Sequence, residues 1–202
     1  MKHTHGFTVV EFLAGFGIAA LVTVAASTLL IYASRYNGVI WNQLSAQSEG
    51  RKVIQTMVDD IRKAESSSIG GYPIQSASST EFIFFSNIDD DLYRERIRYT
   101  LKHDYTIQKG VIKPSGTPLQ YLSANETTTT LAHFVKNDLS NIPLFSYYTS
   151  AYMGTSTPMP KPVTTTLIRV VKVQIELEKD PNKTPVAFRV EGVAHIRNLK
   201  EN

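Results

Sequence analysis

The sequence predicts an α+β chain in which a long N-terminal helix packs on an antiparallel β-sheet. Three observations carry this expectation. From Phe7 to Tyr32 the run FTVVEFLAGFGIAALVTVAASTLLIY contains one charged residue, Glu11, and no proline. From Val39 to Ala64 apolar residues recur at helical spacing. From Glu81 onward the pattern changes to the period of two that marks strands.

The first run is the longest apolar stretch. At a helical rise of about 1.5 Å per residue, its roughly 26 residues extend about 39 Å, more than the ~30 Å of hydrocarbon in a bilayer. It exceeds the 7–15 residues or so of a secretory h-region, and no small-residue cleavage site closes it. A transmembrane segment over 7–32 is therefore expected. The helix is expected to continue to about Ser66, softened near Gly38. Ile40, Leu44, Ile54, Met57, Val58 and Ile61 are its apolar positions, with Arg51, Lys52, Asp59, Asp60 and Arg62 between them. Of these, Ile54, Val58 and Ile61 form the stripe that meets a sheet. The cluster Ser66-Ser67-Ser68-Ile69-Gly70-Gly71-Tyr72-Pro73 ends the helix.

The strands follow. Glu81–Ser86 is short and apolar, and Asn87-Ile88-Asp89-Asp90-Asp91 reads as a turn. In Glu95–Leu101, Ile97, Tyr99 and Leu101 face one way and Arg96, Arg98 and Thr100 the other. Lys102-His103-Asp104 turns the chain into a strand over Tyr105–Ile112. Thr127–Thr130 reads as part of a polar stretch, and Leu131–Val135 as a short helical or irregular piece. Ile142–Tyr148 is a further strand candidate. Residues 153–166, rich in Thr, Pro and Ser, form a surface loop.

Two strands close the domain. In Leu167–Leu177, Val171, Val173, Ile175 and Leu177 alternate with Lys172, Gln174 and Glu176. In Val186–Ile196, Val186, Phe188, Val190, Ala194 and Ile196 alternate with Arg189, Glu191 and His195. The register expected from these patterns sets Leu177 opposite Val186, Ile175 opposite Phe188 and Val173 opposite Val190, with Lys172 opposite Glu191. A beta-rich domain over 67–202 with one covered sheet face is the result.

Composition bounds the function. At 42% hydrophobic residues, the 202-residue chain supports a packed core and not a disordered one. A net charge of +3 is too mild to argue for nucleic acid. With no cysteine, no disulfide staples the outer domain, so its core must hold it.

Glu11 stands out within the apolar run. A carboxylate inside a membrane helix is costly, about 2.5–3.5 kcal/mol at the centre on insertion scales and less near an end, so it calls for a partner. The six preceding residues, MKHTHG, are polar and end in Gly6. A cut after Gly6 would give Phe7 a new α-amino group one turn from Glu11, creating both charges of a complementary pair.

G-F-T-V-V-E-F-L resembles the class III leader of type IV pilins and pseudopilins. The likeness lies in Gly before the cut, Phe after it, Glu at the fifth mature position and the apolar run that follows. Residues 1–6 are then the prepilin leader, with Lys2 its one firmly charged side chain. The resemblance implies that a prepilin peptidase cuts between Gly6 and Phe7 and N-methylates Phe7, and that Glu11 is the assembly carboxylate. It covers about 30 residues. R-I-R-Y-T-L, F-S-Y-Y and the closing H-I-R-N-L-K are similar, more weakly, to minor pilins and pseudopilins of the J and W types.

Other candidate sites read as ordinary surface. His3, His5, His103, His133 and His195 share no spacing, and no metalloprotease, nucleophile-elbow or phosphate-loop motif occurs. No catalytic residue, metal or cofactor is expected, and the chain is not read as an enzyme. Asp89, Asp90 and Asp91 raise the question of calcium, but they lack the loop glycine and later carboxylate of an EF-hand and read as a solvated turn. Arg94, Arg96 and Arg98 alternate on one strand and raise the question of DNA; with Glu95 and three aspartates beside them, they read as a solvated sheet face. The two N-x-T matches at Asn125 and Asn182 are left unassigned.

The expected function is a structural subunit, minor rather than major, of a type IV pilus or type II secretion pseudopilus. Its expected partners are other pilin or pseudopilin subunits, the prepilin peptidase, the inner-membrane assembly machinery and membrane lipid, with no nucleic acid. The N-terminus would be cytoplasmic before processing and the C-terminal domain periplasmic or extracellular. The alternative is an uncleaved, single-span receptor or ligand-binding ectodomain.

Overall fold

The computed structural model describes residues 8–89, 91–178 and 187–199, apart from the side chains of residues 35, 36, 38–43 and 46. Helix α1 runs Val9–Arg62. The chain falls into two compact units, Met1–Asn42 and Gln43–Asn202. The division lies within the helix, so its last turns belong with the sheets.

The helical hydrogen bonding continues through Gly38 and Gly50 and stops a few residues earlier than the sequence pattern implies. Lys63 and Ala64 close the last turn on the carbonyls of Asp60 and Ile61, and the Glu65 N–H then bonds the Phe85 carbonyl at 2.9 Å. From that point the backbone is satisfied by a strand, not by the helix.

Among the described residues, eight strands form two antiparallel sheets where the sequence implied one. The first sheet is ordered β1–β5 and contains β1 Ile74–Ala77, β2 Glu81–Ser86, β3 Glu95–Leu101, β4 Ile107–Ile112 and β5 Thr127–Ala132. The second contains β6 Phe145–Tyr148, β7 Val170–Leu177 and β8 Phe188–His195 in that order. Thr127–Thr130, read as a polar stretch, is an edge strand with both faces exposed, and Leu131 and Ala132 continue it as strand. Four β-branched residues favour the extended backbone without any buried face to announce it.

Asn137 fastens the segment that follows β5 to the second sheet. Fully buried, it donates through Nδ2 to the Gln174 carbonyl at 2.7 Å and accepts the Glu176 N–H at 2.9 Å on Oδ1. It therefore bonds β7 much as a neighbouring strand does. Tyr147 adds a bond from its hydroxyl to the Ser78 carbonyl at 2.7 Å.

The core lies between the sheets and the C-terminal part of α1. Ile54, Val58 and Ile61 are buried, as the stripe implied, and Val53, Met57 and Ala64 join them. Phe82, Phe84, Tyr99 and Phe145 fill the space, with the Phe82 and Phe84 rings stacked at 5.1 Å. Two glycines permit the helix to approach the second sheet. A Cβ on Gly192 in β8 would lie 2.5 Å from Ile54 Cγ2, and one on Gly50 in α1 would lie 2.7 Å from Leu177 Cδ1.

The β7–β8 register differs from the expected one by two residues. Leu177 faces Phe188, Ile175 faces Val190 and Val173 faces Gly192. Val186 lies outside the described residues. A two-residue shift keeps every side chain on its own face, so alternation alone does not distinguish the registers. The contact of Gly192 with Ile54 and Val58 does. Lys172 stands opposite Val193, and its ammonium reaches Glu191 diagonally at 2.8 Å.

Candidate functional site

The site the sequence points to is the N-terminal end of α1. Gly6 and Phe7 lie outside the described residues. Glu11 sits in the first helical turn, exposed. Its Oε2 accepts the Thr8 N–H and the Thr8 hydroxyl, each at 2.9 Å, while Thr8 Oγ1 accepts the Glu11 N–H at 3.3 Å. This is a capping box, with Thr8 at the N-cap and Glu11 three residues on. Thr8-Val9-Val10-Glu11 carries that signature in the sequence, so Thr8 is a site residue the sequence reading passed over. Both side-chain bonds fall on Oε2, which leaves Oε1 for another donor.

Residues Val9–Ser34, which include Glu11, are long and apolar enough to cross a membrane, and none of the segment's most apolar window is buried among the described residues. Large side chains from Val9 to Tyr32 expose between 54% (Ile31) and 76% (Val9) of their surface. Thr23, Ser27 and Thr28 turn their hydroxyls onto carbonyls three or four residues back, so they add no unsatisfied polar group to the apolar surface. Glu11, Phe12, Gly15, Phe16 and Ala19 line a shallow groove on one side of the helix.

The other sequence candidates are engaged in ion pairs. Arg98 holds Glu126 through two bonds, Nε to Oε1 at 2.8 Å and Nη2 to Oε2 at 2.7 Å, and Arg96 donates to Gln75. Arg94 pairs with Glu65 at 3.2 Å. The bidentate bond from Arg98 keeps the Glu126 carboxyl below the ordinary carboxylate range, and the same pairing raises Arg98. The three arginines thus face carboxylates or an amide and do not form an open basic stripe.

The turn between β2 and β3 gathers acid groups. Asp90 lies outside the described residues. Lys113 from the end of β4 pairs with Asp89 at 2.9 Å and also with Asp91. Glu95, read only as a neighbouring charge, is 2% exposed, and its Oε2 accepts the Ile88 N–H at 3.1 Å. Burial pushes its carboxyl above the ordinary range, with Asp89 and Asp91 adding to that shift and the backbone bond opposing it. The signal was present in the strand period: Glu95 shares the parity of Ile97, Tyr99 and Leu101, which places it on the inner face.

Asp60 joins the helix to the first sheet. Its Oδ2 accepts the Tyr99 hydroxyl at 2.5 Å and the Lys109 ammonium at 2.6 Å. Tyr99 is fully buried, and burial raises its hydroxyl well above the ordinary range, with the Asp60 charge adding to the effect. The arrangement anchors the helix to the first sheet.

The architecture is compatible with a pilin-like fold: a long, partly apolar N-terminal helix whose later turns pack on antiparallel sheets. Compared with protein-family models, curated proteins and solved structures, the chain finds no match.

Proposed function

We propose that the chain is a minor structural subunit of a type IV pilus or type II secretion pseudopilus. The observation that carries the proposal is the Gly6-Phe7 junction followed by Glu11 within an apolar helix whose most apolar window is unburied among the described residues. In this reading the helix holds the subunit in the bilayer until a prepilin peptidase removes residues 1–6 and methylates Phe7. The assembly machinery then moves the subunit into a bundle of like helices, where neighbouring subunits replace lipid on its apolar surface. Glu11 meets the α-amino group of an adjacent subunit. The outer domain makes the lateral contacts, on the periplasmic or extracellular side.

The capping box supports the role given to Glu11. It fixes the carboxylate at the helix N-terminus while leaving Oε1 available, and a cut before Phe7 leaves Thr8 in place. The test is the mature N-terminus after co-expression with a prepilin peptidase, read by mass spectrometry. N-methylated Phe7 is expected. An intact Met1 refutes the proposal and returns the single-span ectodomain.

A further inference from the structure

We propose that the β2–β3 turn is a divalent-cation site of the calcium type, formed by Asp89, Asp91 and Glu95. This does not depend on the filament reading. Carboxylate oxygens of the three residues lie within 4.8 Å of one another. Calcium binds oxygen at about 2.4 Å, so two ligands on opposite sides of one ion stand up to about 4.8 Å apart. Magnesium, at about 2.1 Å, demands a near-ideal octahedron and gives up its water reluctantly, whereas calcium accepts irregular oxygen sets. Three carboxylates from one irregular turn therefore suit the larger, more adaptable ion.

A cluster of surface acids would not suffice, but one member of this cluster is not at the surface. Glu95 is 98% buried (2% exposed), and its Oε1 has no hydrogen-bond partner among the described residues. Two other buried oxygens of the same segment, Ser86 Oγ and Asn87 Oδ1, also lack one. Ser86 stands directly opposite Glu95 in the β2–β3 ladder, and the Asn87 amide nitrogen is committed to the Asp91 carbonyl at 2.7 Å. A buried carboxylate oxygen left alone is costly, and a hard cation with several oxygen ligands satisfies it.

Lys113 is the resident counter-ion, and its position explains how the turn persists without metal. Its ammonium neutralises Asp89 and Asp91 but makes no bond to Glu95. Its side chain is 50% exposed, so it can swing into solvent when a cation arrives. Lys113 is thus a tethered competitor for the site, and removing it should tighten calcium binding.

The experiment uses the full chain in detergent micelles, stripped with chelator and titrated calorimetrically with calcium chloride and then magnesium chloride. The parent should bind one calcium saturably, with magnesium about tenfold weaker or worse. Lys113→Met should bind calcium more tightly than the parent. Glu95→Gln should weaken binding by roughly tenfold or more, since a neutral amide oxygen replaces the buried anion. Asp89→Asn, at the exposed rim, provides a second loss variant that does not disturb the core. The proposal is overturned if neither parent nor Lys113→Met shows saturable calcium binding up to about 10 mM, beyond the weakest extracellular calcium modules. It is equally overturned if Glu95→Gln and Asp89→Asn both bind as the parent does.

Discussion

Glu11 has two separable duties in the proposed assembly, and substitutions at Glu11 and Thr8 distinguish them. As a capping-box member it accepts two bonds from Thr8, and its own N–H is bonded in return. Removing such a cap costs about 1 kcal/mol, within a range of about 0.5–2. As a charge facing a neighbour's amine in a dry helical core, it is worth more: leaving one partner of a buried pair alone costs about 3–5 kcal/mol. Glu11→Gln keeps the cap, because glutamine serves at that position, and removes the charge. Thr8→Ala keeps the charge and removes the cap. At about 1.4 kcal/mol per decade, Glu11→Gln should lower incorporation by roughly two to four orders of magnitude, whereas Thr8→Ala should lower it about fivefold. Both should insert and be processed normally. Glu11→Asp, which keeps the charge with less reach, should fall between. The assay is recovery in sheared filaments together with co-purification of partner subunits. Parental recovery of Glu11→Gln alongside failure of Thr8→Ala would reduce Glu11 to a helix cap and remove the docking charge from the mechanism.

The remaining predictions concern the folded domain. Gly192→Ala should destabilise by about 1–3 kcal/mol, because the new methyl group would press on Ile54 Cγ2 from 2.5 Å. In urea titrations an Ile54→Ala background should cancel part of that penalty, and strict additivity would disprove the contact. Asp60→Ala deprives the buried Tyr99 hydroxyl and the Lys109 ammonium of their acceptor, so a loss of about 3 kcal/mol is expected, against about 1 for Tyr99→Phe. Equal unfolding midpoints for the two variants would contradict this. The Glu126 carboxyl is held down by Arg98, so its contribution is present in full above the unfolded value of about 4.3 and is lost as pH falls through the lower folded value. With its side chain 18% exposed and Arg98's 20% exposed, the pair lies between surface and buried cases, and Glu126→Gln should cost about 2 kcal/mol at neutral pH. That difference should shrink on acidification below pH ~4; a difference constant down to pH ~2 would show that the carboxylate charge is not its source.

Period and parity made much of the domain legible. Strands β2, β3, β7 and β8 were visible because each sets apolar residues on the inner face, and the helical stripe at Ile54, Val58 and Ile61 is the one that is buried. Strand β5 was not, because Thr127–Thr130 bury nothing and leave no hydrophobic alternation to read. The division into two sheets was also hidden: Asn137 bonds to β7 and Tyr147 to Ser78 across long stretches of chain, and such long-range polar contacts have no local pattern. The register of β7 and β8 failed for a related reason. Gly192 counts as a neutral position in a hydrophobic pattern, yet its missing side chain is what admits Ile54 and Val58. Two site features were legible and were passed over. Thr8 announces itself by its spacing to Glu11, and Glu95 by its parity with Ile97.

The two parts of the helix meet different physical demands, and the contrast bears on what the N-terminal part is for. Within the second unit, Ile54, Met57, Val58 and Ile61 are buried against sheets and need nothing further. Among the described residues, none of the most apolar window of Val9–Ser34 is buried. Each large apolar side chain kept in water forgoes about 1.5–3 kcal/mol. Summed from Val9 to Tyr32, that is more than the 5–15 kcal/mol or so that holds a typical domain together, so the segment requires cover from lipid or protein. Lipid tails are as apolar as leucine, and exchanging them for neighbouring helices leaves the hydrophobic term nearly unchanged. Apolar area therefore does not decide between a stored subunit and an assembled one. A polar group does, if it is poorly matched in lipid and well matched in the bundle. Within Val9–Ser34 the ionisable side chains are Glu11 and Tyr32, and Tyr32 is neutral at physiological pH. In the proposed assembly the direction of transfer thus rests on one carboxylate, held at the helix N-terminus by Thr8 with an oxygen left for the incoming amine.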